Sequence, residues 1–64
     1  MAKFLRRAEV EDATGLPKST LYRMIAEEKF PRPVPLGERA VGWVESEVLA
    51  WQAARIAARN TVSV

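Results

Sequence analysis

Thr14-Gly15-Leu16-Pro17-Lys18-Ser19-Thr20-Leu21-Tyr22-Arg23 decides the fold. Gly15 takes the left-handed backbone conformation that closes a helix at low steric cost. Pro17 suits the entry or first turn of a helix, where a missing N–H costs little. Residues 18–28 then read as a helix, with Leu21 and Ile25 four apart on its buried side. Ser19, Tyr22, Arg23 and Ala26 fall on its other sides. Upstream, residues 6–14 suit a short helix with Val10 and Ala13 on one inner stripe and Leu5 before it. Leu16 points back into the core across the turn. Two short helices joined by Gly15-Leu16-Pro17 make the helix-turn-helix pattern. An αα-hairpin built only for packing has the same pattern. The hydrogen-bonding and basic groups on the exposed side of the second helix favour base-edge contact.

The charge distribution agrees. Net charge is +2 with a pI near 9.5, which alone says little. Between Ala13 and Ala26, however, the charges are Lys18 and Arg23, both positive. Acids flank this stretch at Glu9, Glu11, Asp12, Glu27 and Glu28. A basic face set apart from acids is the footprint of a phosphate-contacting element, although a solvated helix surface reads the same way.

Downstream, Pro31, Pro33 and Pro35 alternate and force extended backbone, with Phe30 a core anchor at the bend. Residues 33–36 and 40–43 read as two short strands around a tight Gly37-Glu38-Arg39 loop. The prolines confine the first strand to an edge. A lone hairpin is marginal, so it must lean on the helices, through Val34, Leu36, Val41 and Trp43. Glu45, Ser46 and Glu47 suit the positive end of a third helix, and Arg55 and Arg59 its negative end. Val48, Trp51 and Arg55 follow one side of that helix, with Leu49, Gln52 and Ile56 beside it. Residues 60–64 read as a frayed tail. The expected fold is a mainly α, small winged helix-turn-helix: three helices, with a two-stranded β-hairpin wing between helices 2 and 3. The 64 residues form a single domain, folded over about residues 5–59.

Composition excludes several classes. The chain has no cysteine and no histidine, so no disulfide and no Cys/His metal site is available. With scattered carboxylates and no such base or nucleophile, no enzyme is expected, and neither cofactor, metal nor small-molecule substrate. No stretch nears the roughly 20 apolar residues of a membrane span, and residues 1–7 lack a signal-peptide apolar run. A cytoplasmic protein at the bacterial nucleoid is expected. A domain this small buries only about 60% of its unfolded-state surface, so each large apolar side chain counts.

Arg7-x-Glu9-Val10, Thr14-Gly15-Leu16 and Ser19-Thr20-Leu21-Tyr22-Arg23 resemble the opening of the AlpA family of short phage and prophage regulators. Phe30-Pro31-x-Pro33-Val34-x-Leu36-Gly37 and Val41-Gly42-Trp43-x-Glu45-Ser46-Glu47-Val48-x-x-Trp51 continue the resemblance, in order, over about residues 5–59. It implies a DNA-binding fold similar to excisionases and to the MerR winged helix. It further implies transcriptional regulation of prophage genes, often integrase, or excision factors that bend attachment-site DNA. The sequence departs from the family pattern at Pro17, where a polar N-cap is common. It departs again at Ala13, smaller than the usual leucine, and at Gln52, where a large aliphatic is expected. The last two predict a thinner core.

Double-stranded DNA is the expected partner. Lys18, Ser19, Thr20, Tyr22 and Arg23 lie at or near the start of the second helix, whose early residues reach base edges in helix-turn-helix proteins. Arg23 is the first candidate for base reading, through a bidentate pair with guanine; its plainer role is a phosphate grip. Arg39 at the wing tip and Arg32 on the flank are the further DNA candidates, with Glu38 opposing phosphate unless it pairs with Arg39. Trp43 and Trp51 read as core. Leu49 and Ile56, if exposed, suit a weak dimer or self-association on DNA. With the acidic side of helix 1 they also suit a protein-interaction module in a phage assembly or packaging complex.

Overall fold

A computed structural model describes residues 2–59, so the expected tail at 60–64 lies outside the described residues. The elements run β1 (Phe4–Leu5), α1 (Arg7–Thr14), α2 (Lys18–Ala26), β2 (Val34–Gly37), β3 (Ala40–Val44) and α3 (Glu45–Arg59). Three helices with a wing between α2 and α3 are the winged helix-turn-helix read from the sequence. The wing is more than a hairpin: β1 pairs with β3, Phe4 opposite Val44 and Leu5 opposite Trp43, giving a three-stranded antiparallel sheet in the order β1-β3-β2. The third strand gives the hairpin the support it lacks alone. Proline-bearing β2 lies at the edge, and its register with β3 slips between Pro35 and Gly37.

The turn between α1 and α2 is locked by its own residues. Gly15 has φ 73° and its N–H donates to the Glu11 carbonyl at 2.8 Å. Thr14 Oγ1 donates to the Val10 carbonyl at 2.7 Å and accepts from the Leu16 N–H at 3.3 Å. The inner stripe of α1 is therefore Val10 and Thr14; Ala13, expected inside, is exposed. Pro17, extended at φ −70°, is the N-cap of α2 and supplies no side-chain cap.

Helix α2 stops at Ala26, short of the expected Glu28. The Lys29 N–H reaches back to the Met24 carbonyl at 2.8 Å and the Glu28 N–H to Ile25 at 3.0 Å, with Glu28 at φ 60°. This is the Schellman pattern, with glutamate where glycine is usual. Left-handed backbone costs a non-glycine residue roughly 1–2 kcal/mol. Glu28→Gly relieves that strain but frees the unfolded chain and removes the exposed Glu28–Arg32 pair. A net gain of about 0.5 kcal/mol, or a few degrees in melting temperature, is expected by circular dichroism. An unchanged or lower midpoint would show that the strain at Glu28 does not exceed the flexibility and ion pair lost with it.

The core gathers one residue from β1, α1, α2, β3 and α3 and one from the segment after α2: Leu5, Val10, Leu21, Trp43, Val48 and Phe30, with Leu16, Met24, Ile25 and Trp51 packed against it. Trp43 is fully buried, and its indole N–H donates to the Pro31 carbonyl at 3.0 Å. Trp51 lies half-buried against Phe30, ring centroids 4.8 Å apart, and donates to the Lys29 carbonyl at 2.8 Å. The Pro-rich segment is thus pinned by two indoles. Gln52 also finds a use: its Nε2 donates to the Ala13 carbonyl at 3.0 Å, satisfying one of the orphan carbonyls at the end of α1.

Two expected wing contacts are corrected. Leu36 and Val41 are exposed, at 41% and 38%, while Trp43 and, in part, Val34 make the wing's contact with the body. Leu36 lies on the face of the sheet opposite Trp43, as alternation from the Val34–Gly42 pair requires. There it fills the space beside Gly42: a Cβ on Gly42 would lie 2.8 Å from Leu36 Cδ1 and 3.2 Å from the Leu5 carbonyl oxygen. Glycine at 42 is what lets the three strands close up.

Candidate nucleic-acid interface

Helix α2 turns Leu21, Met24 and Ile25 inward, which by helical geometry leaves Lys18, Ser19, Tyr22 and Arg23 on one outward arc. All four are exposed. Thr20, the remaining candidate on this helix, is half-buried on the far edge and stands apart from them. Neither Lys18 nor Arg23 pairs with a carboxylate among the described residues. Glu27, one turn beyond Arg23, pairs instead with Lys29 at 3.8 Å. The arc thus keeps its positive charge unneutralised.

Arg39 sits in the turn of the wing, exposed and without an ion pair to a described carboxylate, Glu38 included. Arg32 is different: its Nη2 is 3.3 Å from Glu28 Oε1, an exposed i,i+4 pair that competes with a phosphate for the guanidinium.

Between the arc and the wing lies an open hollow of about 300 Å³ lined by Arg6, Arg7, Ala8, Tyr22, Arg39 and Val41. Tyr22 belongs to both surfaces, its ring edge-on to Trp43 with centroids 6.4 Å apart. Tyr22 thus lies between the α2 arc of Lys18 and Arg23 and the hollow that holds Arg6 and Arg39. Arg6 and Arg7 were not among the residues singled out from the sequence. The β1–β3 register explains their place: the chain leaving Leu5, opposite Trp43, runs antiparallel to β3 towards Val41 and the wing. A two-residue strand has no periodicity to read, so the Arg6-Arg7 doublet itself was the available signal.

On α3, Leu49 and Ile56 are exposed at 56% and 57%. Two such side chains offer far less than the roughly 800 Å² per partner of a standard interface, so by themselves they hold no stable dimer in solution. No helix among the described residues is long and apolar enough to cross a membrane.

Residues 3–56 match the family described as Prophage CP4-57 regulatory protein (AlpA). The chain is also 49% identical over 58 residues to the uncharacterized protein ORF88 of Enterobacteria phage P4. That alignment covers 91% of this chain and 66% of the phage protein, so the chain spans a little under two thirds of that relative's length. The matched stretch holds the helix-turn-helix, the whole wing and most of α3. The chain belongs to the AlpA family of phage and prophage regulatory proteins.

Proposed function

We propose that this chain binds double-stranded DNA in a sequence-specific manner as a prophage-type transcriptional regulator, without catalysis. One observation carries the reading: Lys18 and Arg23 stand on the exposed arc of the second helix of a helix-turn-helix with no ion pair to a described carboxylate, and Tyr22 of that arc also lines the hollow with Arg6 and Arg39. In this docking α2 enters the major groove with Lys18 and Ser19 on or near the backbone and Arg23 at base edges. The wing then approaches the neighbouring backbone or minor groove through Arg39. Membership of a regulatory family supports the same reading. On this reading the protein acts in the cytoplasm, with the DNA it controls.

Electrostatic binding of this kind is salt-dependent, with about 0.9 of logarithmic slope per phosphate neutralised. The cations of the surface predict roughly two to four phosphate contacts, so a fourfold rise in salt is expected to weaken binding roughly 12- to 150-fold. Fluorescence anisotropy on a labelled duplex measures this. A salt-independent affinity would remove the DNA reading. Footprinting then separates roles: protection over a promoter supports regulation, whereas protection with bending beside an attachment site would assign excision instead.

A further inference from the structure

We propose that the hollow at the root of the wing seats one phosphate group of the nucleic-acid backbone, held jointly by Arg6 and Arg39; the choice of backbone phosphate rests on the DNA reading above. Three guanidiniums from two distant parts of the chain line one concavity, and no carboxylate lines it. Arg7 is held by Glu11 at 3.0 Å, so its charge is partly spent inside the fold. Arg6 and Arg39 have no such partner among the described residues. Like charges gathered this closely repel unless an anion sits between them. Ala8, Val41 and Tyr22 complete the walls and bring no acid to the hollow.

The chemistry selects phosphate. A guanidinium presents a planar fork that matches the two non-bridging oxygens of a backbone phosphate, and two guanidiniums lining one hollow can share that group. A hollow of about 300 Å³ is at the lower limit of small-ligand sites, and it is open, which suits a group on a passing chain better than an enclosed metabolite. Through Tyr22 the seat adjoins the arc that carries Arg23. It fixes where the duplex crosses from helix to wing, and so sets the register in which α2 reads bases.

The test compares the full chain with Arg6→Gln, Arg39→Gln and the double variant on a mixed-sequence duplex across a salt series. Both side chains are exposed, and thermal melts confirm folding. Each single change is expected to weaken binding about tenfold and to reduce the salt slope by about 0.9. The double change adds little, because one shared phosphate is lost once. Single variants within twofold of the native chain overturn the proposal. So do additive losses with a slope change near 1.8, which would mean two separate phosphates. Titration with inorganic phosphate, followed by the amide resonances of Arg6, Ala8, Tyr22 and Arg39, distinguishes the two readings. Saturable shifts that vanish in the double variant are expected. Their absence overturns the seat even if DNA binds. Their presence in a chain that binds no duplex overturns the DNA reading and assigns the seat to a free phosphate.

Discussion

Trp43→Ala is expected to unfold the domain at ordinary temperatures. Trp43 is fully buried, and it joins the central strand of the sheet to Tyr22 of α2 and to the Pro31 carbonyl. Large-to-small changes of this type cost about 3–5 kcal/mol. The carbonyl of Pro31 also loses its donor, which adds about 1 kcal/mol if no water reaches it. A 64-residue domain holds on the order of 3–10 kcal/mol in all. The substitution therefore removes half of the stability or more. Far-UV circular dichroism should show the cooperative melt lost or moved down by about 20 °C or more. Trp43→Phe keeps most of the packing, loses the hydrogen bond, and should fall between the two. Melting of Trp43→Ala within a few degrees of the native chain would show that the sheet and helices are held together elsewhere.

The same tryptophan shows how the sequence encodes the fold. The helix-turn-helix was legible because its signals are local: Gly15 at the turn, Pro17 at the helix entry, Leu21 and Ile25 one turn apart. Phe30 and Trp43 were legible because large aromatics in a small domain have few places to go. Features that depend on distant contacts were not. The β1 strand has two residues and exists because β3 has a free edge beside Leu5. Leu36 and Val41 look like core by composition, yet strand alternation turns Leu36 to the face away from Trp43 and the reach of the wing leaves Val41 exposed. The end of α2 was misplaced by two residues because glutamate, a good helix former, occupies the left-handed position at Glu28.

The candidate surface divides along the same line. The arc of Lys18, Ser19, Tyr22 and Arg23 follows from helical spacing alone. Thr20 lies in the same run of sequence but a different sector of the helix, and its half-buried state separates it from them. Arg32 was distinguished by a partner, Glu28, one turn away. The hollow needed the fold: Arg6 and Arg39 are far apart in sequence and meet through the sheet. Position 52 shows the converse. A glutamine where an aliphatic was expected is no defect once the carbonyl of Ala13 is seen to need a donor.

Arg23→Ala should abolish preference for one base pair while leaving an intact, DNA-binding domain. Arg23 is exposed, has no ion pair to a described carboxylate, and lies in the last turn of the short helix that the proposed docking sets in the major groove. A bidentate arginine–guanine contact supplies about 1–3 kcal/mol of discrimination, or roughly 5- to 150-fold. Removing it should flatten the preference at one position of a randomised-site selection by that factor. Affinity for mixed-sequence DNA and the salt slope should change much less, because phosphate contacts through Lys18, Arg6 and Arg39 remain. Arg23→Lys sharpens the comparison. Lysine keeps the charge and loses the fork, so a base reader loses preference in both variants, whereas a phosphate grip is largely restored by lysine. Unchanged preference in Arg23→Ala, with a salt slope lowered by about 0.9, would move Arg23 from bases to backbone. Base reading would then fall to Ser19 or Tyr22, the remaining polar side chains of the arc.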